Sequence, residues 1–358
     1  MVKSAVNQKS IAKSLNLSVA TVSKALSDST EINSRTRAKV LNMATRLGYD
    51  YLAKSKHKSS DTRSRFVGVL IHSRPDEMQT TSYFAGMTER CAKLNVSLTL
   101  HYFNTADREN VLDTEYQPPV MRDGQLSGLI LVNRWPGHIV KELVEQMPCV
   151  SVIHEVPDVG LDVVGIDDTG AVAMLMEHVY ELGHRKIGFF GRCREMTWSR
   201  ARFGGYVESL CRLDFEYDPE FVFDVSVEHF ENKPPALDAL VDSIAEQVHR
   251  GVRAWICVND WAGYLLCRGL IDRGFSVPED VSITGFDNIE TNRLGCPELT
   301  SVGVPALKIG AEALRRLMTR LRHPHGPQLH VRLQCKFVSG QTTGPPVQKA
   351  EGQTKSET

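Results

Sequence analysis

The sequence predicts an all-α head over residues 1–50 and, beyond a linker at 51–65, an α/β body of two doubly wound parallel-sheet lobes over 66–345. Three observations carry this prediction. The first fifty residues space their apolar side chains three and four apart and contain no strand-like run. From Phe66 onward, short apolar runs alternate with amphipathic helical stretches, the pattern of parallel sheets covered by helices on both faces. Charge divides at the same place: the chain is 358 residues long with net charge −1, yet Met1–Arg65 holds 13 Lys/Arg against 4 Asp/Glu, so the remainder is acidic.

Within the head, Ser10–Leu26 reads SIAKSLNLSVATVSKAL. Ile11, Ala12 and Leu15 form one apolar stripe, and Val22, Ala25 and Leu26 form a second after a break at Asn16–Leu17. Asn tolerates the left-handed backbone such a turn requires. Ser18 stands as the N-cap of the second helix, with Val19, Ala20, Ser23 and Lys24 on its open faces. Small side chains, a methyl group and a cation at a helix N-terminus suit entry into a DNA major groove; the same spacing also fits a helical hairpin in a larger α domain. A third helix is predicted from about Ser34 to Leu47, capped by Asn33 and stopped at Gly48. Asp50–Arg65 is polar, basic and without apolar periodicity, as a linker is.

In the body, FVGVLI, VSLTLHYF, GLILV, CVSVI, VVGI, KIGFF, FVFDV, AWICV and VSITGF read as strands. Helices are predicted at Tyr83–Lys93, Gly170–Leu182, Arg200–Cys211, Leu237–His249, Trp261–Arg273 and Ala306–Leu321. So many strands exceed one ordinary sheet, and two lobes place a ligand cleft at the strands' carboxyl ends. The first lobe is assigned about 66–164 plus 300–321, and the second about 165–294 plus 330–343, with VRLQCKFV as one closing strand. The polar tail at 346–358 is expected to be disordered.

Several function classes are disfavoured. There is no run of eighteen apolar residues for a membrane span, and MVKSAVNQKS lacks a signal-peptide core, so a cytoplasmic protein is expected and a secreted solute receptor is not. The 8 cysteines are scattered without a C-x-x-C pair, which points to reduced thiols and no metal site. His178, His184 and Asp167–Asp168 lie close in sequence, but no G-x-S-x-G, P-loop or H-E-x-x-H accompanies them, so neither an enzyme nor a cofactor is expected.

The head stretch SIAKSLNLSVATVSKALSDSTEINSRTRAKVLNMATRLGY closely resembles the DNA-binding headpiece of the LacI/GalR (lactose-repressor) family, patterned VA-x-x-A-G-V-S-x-x-T-V-S-R-x-L, V-S-x-x-T-R-x-x-V and L-G-Y. The body carries the resemblance further, in HVYELGHRKIGFFG, RFGGYVESL and ICVNDWAGYLLCRGLIDRGFSVPEDVSITGFDNIE. The resemblance implies a type I periplasmic-binding-protein architecture used as a sensor. It also implies base contacts from Val19, Ala20 and Lys24 and phosphate contacts from Ser18, Thr21 and Ser23. Lys24 replaces the commoner Arg, which implies a single-point contact in place of a bidentate one. Where the family carries a leucine that wedges into the minor groove, this chain has Lys56 or, in the other register, Lys58, which implies weaker DNA bending and more dependence on phosphate contacts.

For the cleft, Arg202, Asn259 and Asp287 supply planar hydrogen-bonding groups at positions that coincide with the family's effector contacts. Trp198 and Trp135 are stacking candidates, and Ser73, Phe84 and Asp167 are further wall residues. Asp260 is expected to cap the helix after Asn259, and Ser339 stands where the family usually has Arg. The implied function is a dimeric repressor of a near-palindromic double-stranded operator, controlled by a small molecule, a sugar or sugar derivative, between the lobes. A sensor answering to a protein partner or a nucleoside is the alternative. Dimerisation is expected to use Tyr83–Lys93 and Trp261–Arg273.

Overall fold

The computed structural model describes residues 8–26, 32, 36, 39–40, 43–44, 47, 65–72, 78–104, 107–226, 238–289 and 295–346. The chain divides into two units, Met1–Arg63 and Ser64–Thr358.

In the first unit, helix α1 (Gln8–Leu15) buries Ile11 and Ala12, and α2 (Val19–Leu26) buries Val22 and Ala25. Val40 and Ala44 join them in one small core, flanked by Leu15, Leu17, Leu26 and Leu47. Asn16 takes φ 51°, and the Leu17 N–H reaches back to the Ala12 carbonyl at 3.0 Å. This is the left-handed stop that lets two short helices turn about one asparagine. Ser18 caps α2 by accepting the Thr21 N–H at 2.9 Å.

The second unit has two parallel sheets. The first sheet runs β11-β5-β4-β3-β1-β2, from β1 (Arg65–His72), β2 (Val96–Phe103), β3 (Leu126–Val132), β4 (Cys149–Val152), β5 (Asp162–Ile166) and β11 (His330–Leu333). The second runs β7-β6-β8-β9, from β6 (Ile187–Arg192), β7 (Val222–Asp224), β8 (Ala254–Cys257) and β9 (Ser282–Thr284). An antiparallel pair, β10 (Ser301–Gly303) and β12 (Lys336–Val338), is joined to the second sheet by bridges Thr284↔Thr300 and Asp287↔Gly303.

Helices α3 (Met78–Leu94), α4 (Pro119–Arg122) and α5 (Gly137–Gln146) follow the first strands. The chain then continues through α6 (Asp168–Glu181), α7 (Thr197–Arg212), α8 (Asp238–His249), α9 (Asp260–Ile271) and α10 (Ala306–Arg322). α3 and α10 cross so closely that a Cβ on Gly86 would lie 1.9 Å from the Leu307 carbonyl oxygen, and one on Gly310 1.9 Å from that of Tyr83. Only glycine permits that approach. At the other side of α10, Arg316 and Arg320 converge on the fully buried Asp162, holding its carboxyl below the usual range against the opposing effect of burial.

Two expectations are corrected. The segment 330–343 does not belong wholly to the second lobe: His330–Leu333 pairs with Val163–Ile166 in the first sheet, and only Lys336–Val338 crosses to pair with Ser301–Gly303. VRLQCKFV is therefore two strands. Conversely, 300–321 is split, β10 lying on the second sheet's side and α10 packing against β3, β4 and β5. In both places the apolar pattern is continuous while the hydrogen-bonding partner changes, and sequence periodicity carries no record of the partner.

Candidate functional site

In the head, Ser18, Val19, Ala20, Thr21, Ser23 and Lys24 occupy the cap and first two turns of α2. Val19 is 41% exposed although it is apolar, and Ala20, Ser23 and Lys24 are exposed beside it. The Ser18 and Thr21 hydroxyls bond each other at 2.8 Å, so the cap is a two-residue lock. Lys56 and Lys58, like Ser73 of the body, lie outside the described residues.

In the body, Arg202 of α7 is the hub of a buried polar cluster. It is 5% exposed; its Nε donates to Asp168 Oδ1 at 2.9 Å, one terminal nitrogen to the Val258 carbonyl at 2.7 Å and the other to Asp287 Oδ1 at 3.3 Å. The guanidinium lies 3.5 Å from the Phe286 ring centroid and 4.7 Å from that of Trp198. Burial opposes its charge, but Asp287 and Asp168 outweigh burial and raise its pKa. Burial in turn raises that of Asp168, which Arg202 pulls back. Three of the five N–H groups of the guanidinium are engaged here.

Strand ends from both sheets meet at this point. Asp168 follows β5, Asp287 follows β9, and Cys335, between β11 and β12, lies within electrostatic reach of Arg202, Asp168 and Asp287, its thiol pushed up to about 12 chiefly by burial. Asp287 sits at φ 109° and Asn288 at φ 53°, backbone that non-glycine residues rarely adopt.

Asn259, not Asp260, caps α9, its Oδ1 accepting the Ala262 N–H at 2.9 Å. Asp260 is buried instead and accepts from Ser301 Oγ at 2.7 Å and the Ile289 N–H at 2.6 Å. Burial first, and Asp287 second, push its pKa up to about 7. Asp167 caps α6 through the Gly170 N–H at 3.1 Å.

Trp198, expected in a loop, lies in the first turn of α7, because that helix begins at Thr197 rather than Arg200. Trp135 is packed away: it is 4% exposed, donates its indole N–H to the Val132 carbonyl at 3.1 Å and meets Phe103 edge-on at 5.6 Å. Phe84 is also buried and turns its ring toward Tyr102 of β2. The structure thus gathers Arg202, Asp287 and Trp198, with Asn259 and Asp167 as helix caps, and withdraws Trp135 and Phe84 into packing.

A cavity of about 150 Å³ opens beside Trp198, lined by Ile153, Gly165, Asp168, Thr169, Ala201 and Arg332 among others. A larger hollow of about 300 Å³ between α3 and α10 is bordered by Glu89, Arg90, Lys93 and Lys308 and holds none of the interlocked groups. Sequence reasoning missed Asp168 as a partner of Arg202. The adjacent Asp167–Asp168 pair was the available signal, since a carboxylate in the first turn of a helix is stabilised there and is free to face inward. Among the described residues no group of His, Cys, Asp and Glu is arranged to hold a metal ion, and no helix is long and apolar enough to cross a membrane.

Residues 176–343 match the periplasmic binding protein-like domain family. Over 342 residues the chain is 25% identical to the HTH-type transcriptional repressor CytR of Escherichia coli K12, covering 94% of this chain and 96% of that one. It is 26% identical to the HTH-type transcriptional repressor MelR of Bacillus subtilis, covering 95% and 98%. Its fold superposes on that of the regulator CelR in complex with cellobiose with TM-score 0.65 at 19% identity, covering 94% of this chain and 99% of that one. It superposes on the lac repressor dimer bound to operator and anti-inducer with TM-score 0.63 at 18% identity, covering 95% and 100%. Over nearly its whole length the chain is thus similar to HTH-type transcriptional repressors, with a periplasmic binding protein-like domain over residues 176–343 and the fold of the lac repressor.

Proposed function

We propose that this chain is a cytoplasmic, homodimeric repressor that binds a near-palindromic operator and changes its operator affinity when a small carbohydrate or related molecule binds between the lobes. The observation that carries the reading is the α2 N-terminus, where a hydroxyl lock holds the helix end and leaves Val19, Ala20, Ser23 and Lys24 exposed together. An exposed valine there meets a thymine methyl, and a lysine meets guanine or phosphate. One head makes too few base contacts for useful specificity, so two heads related by a dyad are required.

The domains are read as 1–50 for the head, 51–65 for the linker and 66–345 for the sensor. Solved neighbours with cellobiose, ribose and sucrose support a sugar-class effector, and the buried Arg202–Asp287 pair beside the Trp198 ring suits a polyol with one apolar face. The body has no catalytic part in this reading. Ligand acts only through its differential affinity for two lobe arrangements, transmitted by the segments that meet at Arg202.

The test is fluorescence anisotropy with random-sequence and selected duplexes at two salt concentrations, with and without sugars. Selection of a near-palindromic site by the full chain, lost on Val19→Ser with Lys24→Ala, is the expected result. Equal affinity for every duplex would overturn the reading.

A further inference from the structure

The segment 285–289, which follows β9, carries two of the groups that meet Arg202. The Phe286 ring centroid lies 3.5 Å from the guanidinium, and Asp287 accepts from it at 3.3 Å. Asp287 has φ 109° and Asn288 φ 53°, so two consecutive non-glycine residues occupy backbone that costs free energy and persists only where its surroundings hold it. β10 holds the first half of the segment: the Gly285 N–H donates to the Thr300 carbonyl at 2.8 Å and the Asp287 N–H to the Val302 carbonyl at 2.9 Å. The next two amides turn to side chains instead.

The Ile289 N–H donates to Asp260 Oδ2 at 2.6 Å, and the Asn288 N–H donates to Ser301 Oγ at 3.3 Å. The Ser301 hydroxyl in turn donates to Asp260 Oδ1 at 2.7 Å, so both amides end on one carboxylate. The Asp260 backbone N–H closes the set by donating to the Phe286 carbonyl at 2.8 Å. Gly285 makes room for this arrangement, since a Cβ there would lie 2.1 Å from Asp260 Oδ1. Asp260 is 2% exposed, and among the described residues no Lys or Arg is hydrogen-bonded to it. A buried carboxylate without a bonded counter-ion costs free energy, and capping is not its task, because Asn259 already caps α9. Ser301, its other partner, lies on β10, which leads through Pro305 into α10, the helix packed against β3, β4 and β5.

We propose that Asp260 is a positioning residue that braces the segment 285–289 against β10, so that Asp287 keeps its place on Arg202 only while the Asp260 carboxylate accepts from both Ile289 and Ser301. The inference rests on the effector reading above and adds how that site is regulated. An ionised carboxylate accepts both donations at once, and its charge strengthens each. A proton on Oδ1 turns that oxygen into a donor. Ser301 must then reverse its hydroxyl, whose own proton loses its acceptor, and Ile289 is left with an uncharged one. The brace loosens, and with it the strained backbone at Asp287 and Asn288. Burial first, and Asp287 second, push the carboxyl up to about 7, while Ser301, the Ile289 N–H and Arg202 act against them. The other titratable groups facing it, Cys257 at the end of β8 and Tyr264 one turn along α9, are raised by burial and stay neutral at that pH. Loss and gain of the brace therefore fall near neutral pH.

The experiment uses the full chain and the probes cellobiose, ribose, sucrose, adenosine and cytidine, screened by thermal shift and followed by calorimetry at pH 6 and pH 8. Amide hydrogen exchange of the segment 285–289, corrected for the intrinsic rate, is measured without probe at the same two pH values. For any probe that binds, wild-type affinity is expected to be about tenfold weaker at pH 6, where a carboxyl of pKa about 7 is mostly protonated, and protection of the segment falls with it. Asp260→Asn keeps the shape without the titrating charge, and shows the weaker affinity and the lower protection at both pH values. Ser301→Ala leaves the carboxylate but cuts the relay, and lowers both quantities at pH 8. If a probe binds and Asp260→Asn follows the wild-type pH profile, or Ser301→Ala matches wild type in affinity and protection, this inference fails while the effector reading stands. If no probe shifts the wild-type melting temperature, the sugar-or-nucleoside reading fails and exchange alone decides the brace: pH-dependent protection that Asp260→Asn abolishes supports it, and protection level with pH in wild type overturns it.

Discussion

In the second lobe, Arg202, Asp168 and Asp287 hold one another by side-chain contacts, each charge supplying the other's reason to be buried. In the first lobe, His154 is positioned by backbone, through a turn at Ile153 (φ 68°) whose N–H donates to the Val164 carbonyl at 2.9 Å. The difference teaches where each lobe is vulnerable. An interlocked set of charges fails when one member is removed, because the others are left buried and uncompensated. A backbone-positioned side chain can be replaced with little loss of fold.

The largest contrast between the two is expected from Arg202→Met. It leaves Asp168 and Asp287 without their cation, and destabilisation of the body by about 3–5 kcal/mol is expected. His154→Gln should stay within about 1 kcal/mol of wild type. Chemical denaturation of the two variants checks this, and equal losses would remove the distinction.

Titration sharpens it next. Asp260, in the second lobe, is raised from 3.8 to about 7 in the folded body. Its contribution to stability is therefore full below pH 3.8 and is lost as pH rises through 7. His154, in the first lobe, is lowered from 6.5 to about 4, so its contribution is full above pH 6.5 and is lost as pH falls through 4. Between pH 4 and 6.5 the two oppose each other. Asp260→Asn should then lose stability on acidification more steeply than wild type, and His154→Gln less steeply, each by up to about 1.4 kcal/mol per pH unit. Melting temperatures across that window decide the sign.

The smallest effect is at Asn259, which caps α9. Asn259→Ala should cost about 1 kcal/mol of stability, and Asn259→Asp should keep most of it. If ligand affinity falls for Asn259→Asp while stability does not, its side-chain amide also meets the effector.

The comparison also marks what could be read in advance. Arg202, Asp287 and Trp198 were singled out through the resemblance, which puts them at or beside effector positions, and the structure brings the three into one cluster. The left-handed turn at Asn16 and the Ser18 cap were legible because both act within five residues of chain. Trp135 and Phe84, expected on the cleft wall, are buried in packing, since an aromatic ring after a strand has the same local signature whether it packs inward or faces a cleft. The roles of Asn259 and Asp260 were exchanged because either carboxamide or carboxylate caps a helix, and only the nearness of Ser301 and the Ile289 N–H draws Asp260 inward.

Periodicity, capping residues and charge distribution determined by themselves that a basic helical head precedes an α/β body, because these signals act between residues a turn or a strand apart. Tertiary structure alone decided that His330–Leu333 and Lys336–Val338 part company to different sheets, that Asp168 and Asp287 meet at Arg202, and that Ile153 is held at positive φ. Each of these depends on a partner more than ten residues away, or on backbone that the local sequence disfavours and only surrounding hydrogen bonds can maintain.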